Sequence, residues 1–107
     1  MGIRVCKFGG SSVADADQLR KVRAIVESEE ERRFVVPSAP GKRFADDIKI
    51  TDLLYRTHAA AAAGEPIGPT FDQIGERYRR IVSDLGIAFD LEPALAEVHD
   101  QIRDGAG

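Results

Sequence analysis

The feature that most constrains the fold is a strand, turn, helix and strand pattern in the first third of the chain. Residues 3–8 form a short apolar run that ends at a glycine pair, as strands often do. Residues 34–36 form a second such run, which is stopped by Pro37. Between them, apolar residues recur at helical spacing over residues 15–28. Two strands joined through a helix run parallel, so the pattern predicts an α/β chain that begins with a βαβ unit.

Polar residues placed before the apolar segments predict where the helices begin. A Ser, Thr, Asp or Asn at the helix start accepts a hydrogen bond from a backbone N–H, and a Gln three residues later completes a capping box. The last two helices are expected to form an antiparallel hairpin. The predicted caps are Asp15 with Gln18 for residues 15–28, Thr51 for residues 52–63, and Thr70 with Gln73 for the helix closed by Gly86. The last helix is predicted to start at Asp90.

Composition narrows the class of protein. The chain has 107 residues, of which 43% are hydrophobic and 31% charged, as in a small soluble globular domain. A net charge of -3 gives no sign of the basic patch that nucleic-acid binders carry. The single cysteine, Cys6, fits a reducing compartment, and we expect a cytoplasmic protein. No run approaches the ~20 apolar residues needed to span a membrane.

Two strands are too few for a complete parallel sheet. Such sheets are usually wider and are covered on both faces. We therefore expect the chain to be the front part of a larger domain, with a sheet edge that is open or covered by a partner.

The glycine pair after the first strand predicts an anion-binding loop. Lys7 stands at the carboxyl end of the strand, the edge where ligands bind in open α/β sheets. Gly9 and Gly10 allow close backbone approach to a ligand, and Ser11 and Ser12 add hydroxyl donors. A cation, backbone N–H groups and hydroxyls together suit a polyphosphate.

A second glycine-containing loop, residues 38–42, follows the second strand and is expected to lie beside the first. Neither loop is a Walker A motif, because Gly41 and Lys42 are followed by Arg43. No dinucleotide-binding fingerprint or serine-hydrolase elbow is present either. The residues alone therefore predict an anion-binding α/β module that is suited to phosphoryl transfer.

Three motifs in this order resemble the aspartate kinase family. Residues 7–14, K-F-G-G-S-S-V-A, resemble its N-terminal signature K-F-G-G-[ST]-S. Residues 35–41 resemble its second loop, and residues 51–54, T-D-L-L, resemble its T-[ND]-L-L helix start.

The resemblance implies a fold and a reaction. The chain would be the front part of an amino-acid-kinase (carbamate-kinase-like) three-layer fold, with residues 1–107 as the N-terminal part of the catalytic domain and no second domain. The family transfers phosphate from Mg-ATP to the side-chain carboxylate of L-aspartate, giving 4-phospho-L-aspartate for lysine, threonine and methionine biosynthesis. ATP and Mg²⁺ are then expected, with a homo-oligomer in the full-length form. Family members are several times longer, so we expect this chain alone to be inactive.

The resemblance also assigns site residues by position. Lys7 becomes the catalytic cation on the transferred phosphate, and no metal ligand is assigned. The phosphate-binding set is Lys7, Phe8, Gly9, Gly10 and Ser11, and the substrate-binding pair is Ser38 and Thr51.

Other interpretations of the same residues stay open. Lys7 alone would pass for a solvated strand-end lysine, and the two serines for helix caps. The loop acids Asp46 and Asp47 are expected to be solvated, and Arg43 to point away from the site. A truncated homologue that binds an anion or a partner without catalysis is a second function class, and another amino-acid kinase is a third. Aspartate-dependent ADP release distinguishes them.

Overall fold

The structure is a computed structural model that describes residues 2–105. Within that range, the strands β1 (Arg4–Phe8) and β2 (Arg32–Pro37) form a parallel two-stranded sheet, so the predicted α/β chain with a βαβ start is confirmed. The chain divides into two compact units, Met1–Ile50 and Thr51–Gly107. Whether residues 1–107 belong to a single catalytic domain stays a prediction. The elements are β1 (Arg4–Phe8), a 3₁₀ turn (Gly10–Val13), α1 (Ala16–Glu27), β2 (Arg32–Pro37), α2 (Ile50–Ala62), α3 (Gly68–Leu85) and α4 (Glu92–Gly105).

The first helix begins where the sequence predicts. Asp15 is the N-cap of α1, and its Oδ1 accepts a hydrogen bond of 3.0 Å from the backbone N–H of Gln18. At the other end of α1, the Arg32 guanidinium donates to the carbonyl of Ile25 and to Ser28 Oγ. These bonds fix the turn that leads from α1 into β2.

The two faces of the sheet differ in exposure. Val5 pairs with Phe34, and Lys7 pairs with Val36, so these residues share one face. The three apolar members of this face are 49–66% exposed. Cys6 and Phe8 on the other face are half-buried. One face of the sheet is therefore partly covered within this chain, while the face that carries Lys7 is open. Pro37 is the last residue of β2 instead of its stop, which an edge strand tolerates.

The start of the second helix, α2, differs from the prediction. Thr51 was expected to cap a helix starting at residue 52, but α2 already begins at Ile50. The N–H of Ile50 donates to the carbonyl of Pro40 at 3.1 Å, and Ile50 is only 1% exposed. A loop carbonyl thus satisfies the start of α2, and the prediction that Thr51 is its N-cap is wrong.

The start of the third helix, α3, also differs from the prediction. The helix begins at Gly68, with Pro69 in its first turn and no side-chain cap. Thr70 Oγ1 donates back to the carbonyl of Ile67 at 3.2 Å, and the Gln73 amide donates to the carbonyl of Pro69 at 3.2 Å. The predicted capping box is therefore wrong, because both side chains bond to preceding carbonyls. The predicted end at Gly86 is confirmed, since this residue has φ of 67°.

The antiparallel hairpin of α3 and α4 is confirmed by contacts in reversed order. Arg79 forms an ion pair of 2.8 Å with Glu92, and Phe71 meets His99 edge to face at 5.2 Å between ring centroids. The last helix starts at Glu92, two residues later than the predicted Asp90, whose Oδ1 accepts from the Glu92 N–H at 3.2 Å. Asp90 therefore supports the start of α4 from outside the helix.

The second unit has an apolar core that spans its three helices. Thr57 is fully buried in α2 and donates to the carbonyl of Leu53 at 2.7 Å, with its hydroxyl 3.0 Å from that of Thr70 in α3. Periodicity did not predict that Arg77, which is 6% exposed, would be buried. The buried apolar residues are Leu53, Ile67, Phe71, Ile74, Ile81 and Leu95.

Candidate functional site

The two glycine-containing loops lie side by side, as the parallel strands predict. The N–H of Ser38 donates to the carbonyl of Phe8 at 2.9 Å, directly beyond the paired strand ends. Further along, the N–H of Gly41 donates to the carbonyl of Gly10 at 2.8 Å. The structure therefore brings Phe8, Gly9, Gly10 and Ser11 together with Ser38 at one edge of the sheet.

Glycines face each other where the loops meet. A Cβ on Gly10 would stand 3.2 Å from the carbonyl oxygen of Ala39 and 3.2 Å from Cα of Gly41. A Cβ on Gly41 would stand 2.7 Å from the carbonyl carbon of Gly10. The sequence interpretation gave Gly10 a ligand-facing role, but here its missing side chain also lets the two backbones touch.

Gly9 has a different environment. Its φ of -74° is available to every residue type, and no heavy atom lies within 4 Å of the place where a Cβ would stand. Neither backbone conformation nor packing within the described residues requires a glycine there. The open space above Gly9 leaves room for a ligand to approach the backbone.

Lys7 lies on the open face of the sheet, in register with Val36. Its side chain is exposed, and within residues 2–105 its ammonium makes no hydrogen bond or ion pair. An unpaired cation at the carboxyl edge of the sheet remains available to an anionic group from solution.

The serines of the first loop do not cap α1. Asp15 holds that position, and the N-cap of the 3₁₀ turn is Gly9, with no side-chain cap. Ser11 is exposed and Ser12 is half-buried. The capping interpretation of these hydroxyls is wrong, and both remain compatible with binding an anion.

Thr51 belongs to the other compact unit, as the second residue of α2 with an exposed side chain. Ser38 is also exposed and stands next to the first loop. The described cluster therefore consists of Lys7, the first loop and Ser38, and a substrate role for Thr51 stays a prediction.

The segment after the second loop is held by an ion pair. Arg43 donates to both carboxylate oxygens of Asp47, at 2.7 and 2.9 Å, and its backbone N–H adds a third bond of 2.9 Å. The Asp47 side chain is only 7% exposed, so the prediction of a solvated loop acid is wrong for this residue. The Arg43 guanidinium is bonded to Asp47, and its side chain is 35% exposed.

Electrostatics shows how firmly this pair is bound. Hydrogen bonds from the Arg43 side chain hold the pKa of the Asp47 carboxyl well below its usual range, although burial acts in the opposite direction. Asp47 is thus an occupied anion and a poor candidate for a metal ligand. Within residues 2–105 no group of three or more His, Cys, Asp or Glu side chains is placed to hold a metal ion.

The chain is similar in sequence and structure to known proteins. Over 83 residues, the chain is 43% identical to aspartokinase 3 of Bacillus subtilis. This alignment covers 78% of the chain and 18% of the relative. The chain is 32% identical over 106 residues to the aspartokinase of Chlamydia muridarum, covering 96% of this chain and 21% of the relative. The crystal structure of Clostridium acetobutylicum aspartate kinase matches 98% of this chain with a TM-score of 0.94 and 46% identity. The chain is homologous to aspartate kinases.

The aspartate kinase homology covers this chain almost completely but each relative only in part. The chain spans 18% to 24% of the length of the B. subtilis, C. muridarum and C. acetobutylicum proteins. Its α/β fold is a portion of the aspartate kinase fold, as the TM-score shows. No family model matches the chain. Within the described range, no helix is long and apolar enough to cross a membrane.

Proposed function

We propose that this chain carries the phosphate-binding loops of an aspartate kinase, which transfers the γ-phosphoryl group of ATP to the side-chain carboxylate of L-aspartate. The observation that carries the proposal is the cluster at the carboxyl edge of the sheet. There the exposed Lys7 stands beside two loops joined by the bond from Gly41 N–H to Gly10 carbonyl. The chain that holds this cluster is 46% identical to a solved aspartate kinase.

The cluster supplies charge and donors to phosphate oxygens. Lys7 places an ammonium where negative charge develops on the transferred group, and such a preorganised contact stabilises the transition state. Phe8, Gly9, Gly10 and Ser11 form the loop that surrounds the phosphates with backbone and hydroxyl groups. In the reaction, a carboxylate oxygen bonds to the γ-phosphorus, the bond to the bridging oxygen breaks, and ADP leaves with that electron pair. Catalysis of this kind is mainly positioning and charge neutralisation.

Mg²⁺ enters the proposal only as part of Mg-ATP. The described residues do not form a metal-ligand cluster, and Asp47 is occupied by Arg43. They do not fit a protein-built Mg²⁺ site, and Mg²⁺ is commonly bound through nucleotide phosphates.

The substrate-facing part of the proposal concerns Ser38 and Thr51. Ser38 lies beside the phosphate loop, where an acceptor carboxylate has to approach, and Thr51 is assigned by its motif alone. The product, 4-phospho-L-aspartate, feeds lysine, threonine and methionine biosynthesis, and we propose a cytoplasmic, homo-oligomeric enzyme for the full-length form. The cluster offers groups that bind phosphate but does not form a complete site for both ATP and L-aspartate. We therefore expect no aspartate-dependent turnover from this chain alone.

A chimera tests the proposed function. The matched segment of the C. acetobutylicum enzyme is replaced by this chain, and ADP release is measured with and without L-aspartate. Aspartate-dependent turnover near that of the parent enzyme is expected. A folded chimera that binds ATP without turnover would favour a non-catalytic anion-binding module. A preference for another carboxylate would favour a different amino-acid kinase.

A further inference from the structure

Gly41 lies with its backbone against the first loop. A Cβ at this position would stand 2.7 Å from the carbonyl carbon of Gly10 and 3.0 Å from the backbone nitrogen of Ser11. Both are backbone atoms, so neither can swing aside as the end of a side chain does. Among the described glycines, positive φ occurs only at Gly64 and Gly86, so lack of space and not φ requires the glycine at 41.

The same contact is looser when approached from the first loop. A Cβ on Gly10 would meet its nearest atoms, in Ala39 and Gly41, at 3.2 Å, a distance that a shift of a few tenths of an ångström relieves. Substitutions at Gly41 and Gly10 therefore disturb the same contact, and the clash is more severe at Gly41. Gly41 is buried, and its N–H bond to the Gly10 carbonyl of 2.8 Å fixes the register of the two loops.

We infer that Gly41 is a positioning residue of the phosphate site. Its contact with Gly10 joins the two loops into one preformed cradle, which presents the backbone at Gly9 and Ser11 to phosphate before a ligand arrives. The inference rests on the proposed function, because it gives the contact a task in phosphate binding. Preformed donors need no reorganisation when the charged group arrives, so displacing them weakens binding even when the fold survives.

The test uses the full 107-residue chain with Mg-ATP as the probe. Gly41→Ala and Gly10→Ala are compared with the matched control Gly68→Ala, which makes the same change where no heavy atom lies within 4 Å of the new Cβ. Titration calorimetry gives the ATP affinity, and the ³¹P spectrum reports on the γ-phosphate. Hydrogen exchange follows the Gly41 N–H, and circular dichroism monitors folding.

For Gly41→Ala we expect about a tenfold loss of ATP affinity, equivalent to about 1.4 kcal/mol. The change in the γ-phosphate ³¹P chemical shift that accompanies binding should be lost, and the amide hydrogen at residue 41 should exchange faster. Gly10→Ala should show a smaller loss, and Gly68→Ala should match the wild type. Equal ATP affinity and an unchanged ³¹P shift in folded Gly41→Ala would overturn the inference. If Gly41→Ala does not fold, the folded Gly10→Ala chain decides in the same way.

The wild-type chain separates this inference from the proposed function. If wild type does not bind Mg-ATP, the proposed function fails for this chain, and the phosphate-positioning role of Gly41 is overturned with it. Hydrogen exchange then still decides whether the loops are joined. Protection of the Gly41 N–H that is lost in Gly41→Ala supports the joined loops, and fast exchange in the wild type overturns them.

Discussion

Gly9 and Gly10 are neighbours in sequence but lack side chains for different physical reasons. Gly10 packs against the second loop, whereas open space lies above Gly9, whose φ suits any residue. Removing a glycine that the fold does not need restricts the unfolded chain and is neutral or mildly stabilising. A glycine that only a ligand requires should therefore show opposite effects on stability and binding.

Gly9→Ala is predicted to leave the chain as stable as wild type or up to about 1 kcal/mol more stable, because the new methyl group meets no atom. It is also predicted to weaken Mg-ATP binding severalfold, since under the proposed function the methyl group would stand where phosphate approaches. Urea unfolding and titration calorimetry measure the two effects. A destabilised variant would show that the fold uses Gly9, and unchanged affinity would place phosphate elsewhere.

Lys7→Ala is predicted to change the melting temperature little, because the side chain is exposed and unpaired within residues 2–105. In the chimera with the C. acetobutylicum enzyme, the same change should lower turnover by about a hundredfold or more, the scale for losing one preorganised contact. Lys7→Arg should not restore it fully, since a planar guanidinium replaces a compact ammonium.

Steady-state kinetics on the folded Lys7→Ala chimera provides the measurement, with circular dichroism as the folding control. Lys21→Ala, which removes another exposed lysine, on α1, is the matched control. Turnover of Lys7→Ala within a few fold of the parent would remove Lys7 from the site.

At the scale of elements, the connection from β2 to α2 is organised by side chains that hydrophobic periodicity does not reveal. Arg43 and Asp47 close residues 43–47 through two side-chain bonds and one backbone bond. Shortly after this turn, Ile50 starts α2 on the carbonyl of Pro40. The second loop is thus held on one side by Gly10 and followed by a closed turn that fixes its exit.

Asp47→Asn is predicted to destabilise the chain by about 1–2 kcal/mol at pH 7, a charged hydrogen-bond pair discounted for the partial exposure of Arg43. The folded-state pKa of Asp47 lies below its unfolded value of about 3.9. The contribution is therefore fully present above pH of about 5 and is lost as pH falls through about 4 toward the folded pKa. The deficit of Asp47→Asn should accordingly shrink in acid.

Urea unfolding at pH 7, 5 and 3 checks this prediction. Asp46→Asn makes the same change at an exposed neighbour and should stay within about 0.5 kcal/mol of wild type. A deficit of Asp47→Asn that is equal at all three pH values would mean that packing of the side chain, not its charge, carries the effect.

At the scale of the whole molecule, the open face of the sheet governs how the chain behaves in solution. Val5, Phe34 and Val36 expose 66%, 57% and 49% of their surface on neighbouring strands. Among the residues that the structure describes, the sheet has two strands, and the outer edges of such a sheet offer backbone groups for pairing. Contiguous exposed apolar surface of this kind favours association, in addition to the open sheet edge that the two-strand pattern predicts.

The chain is therefore predicted to self-associate with rising concentration, and Phe34→Thr is predicted to reduce that association while leaving the melting temperature within a few degrees. Tyr55→Thr is the matched control, because Tyr55 is 76% exposed on α2 and does not belong to the sheet. Sedimentation velocity across a wide concentration range gives the measurement. A wild-type monomer throughout that range would contradict the prediction.

Features that neighbouring residues encode were predictable from the amino-acid sequence alone. Apolar spacing placed the helices and strands, Asp15 marked the start of α1, and Gly86 marked the end of α3. The adjacency of the two loops also followed, because the carboxyl ends of parallel strands meet at one sheet edge. The aspartate kinase resemblance was carried by three short motifs, residues 7–14, 35–41 and 51–54, and the similarity to known aspartokinases confirms it.

Contacts between segments that are separated along the chain could not be predicted from local patterns. The need for glycine at 41 arises from backbone atoms of Gly10 and Ser11, and the start of α2 from a carbonyl at Pro40. The Asp47 side chain is only 7% exposed, and its burial depends on the folded loop around it and not on sequence spacing. Local patterns are set by chain geometry over a few residues, whereas close approach and burial depend on where segments meet in space. For that reason the adjacency of the two glycine-containing loops was predictable from sequence, and the contact that joins them was not.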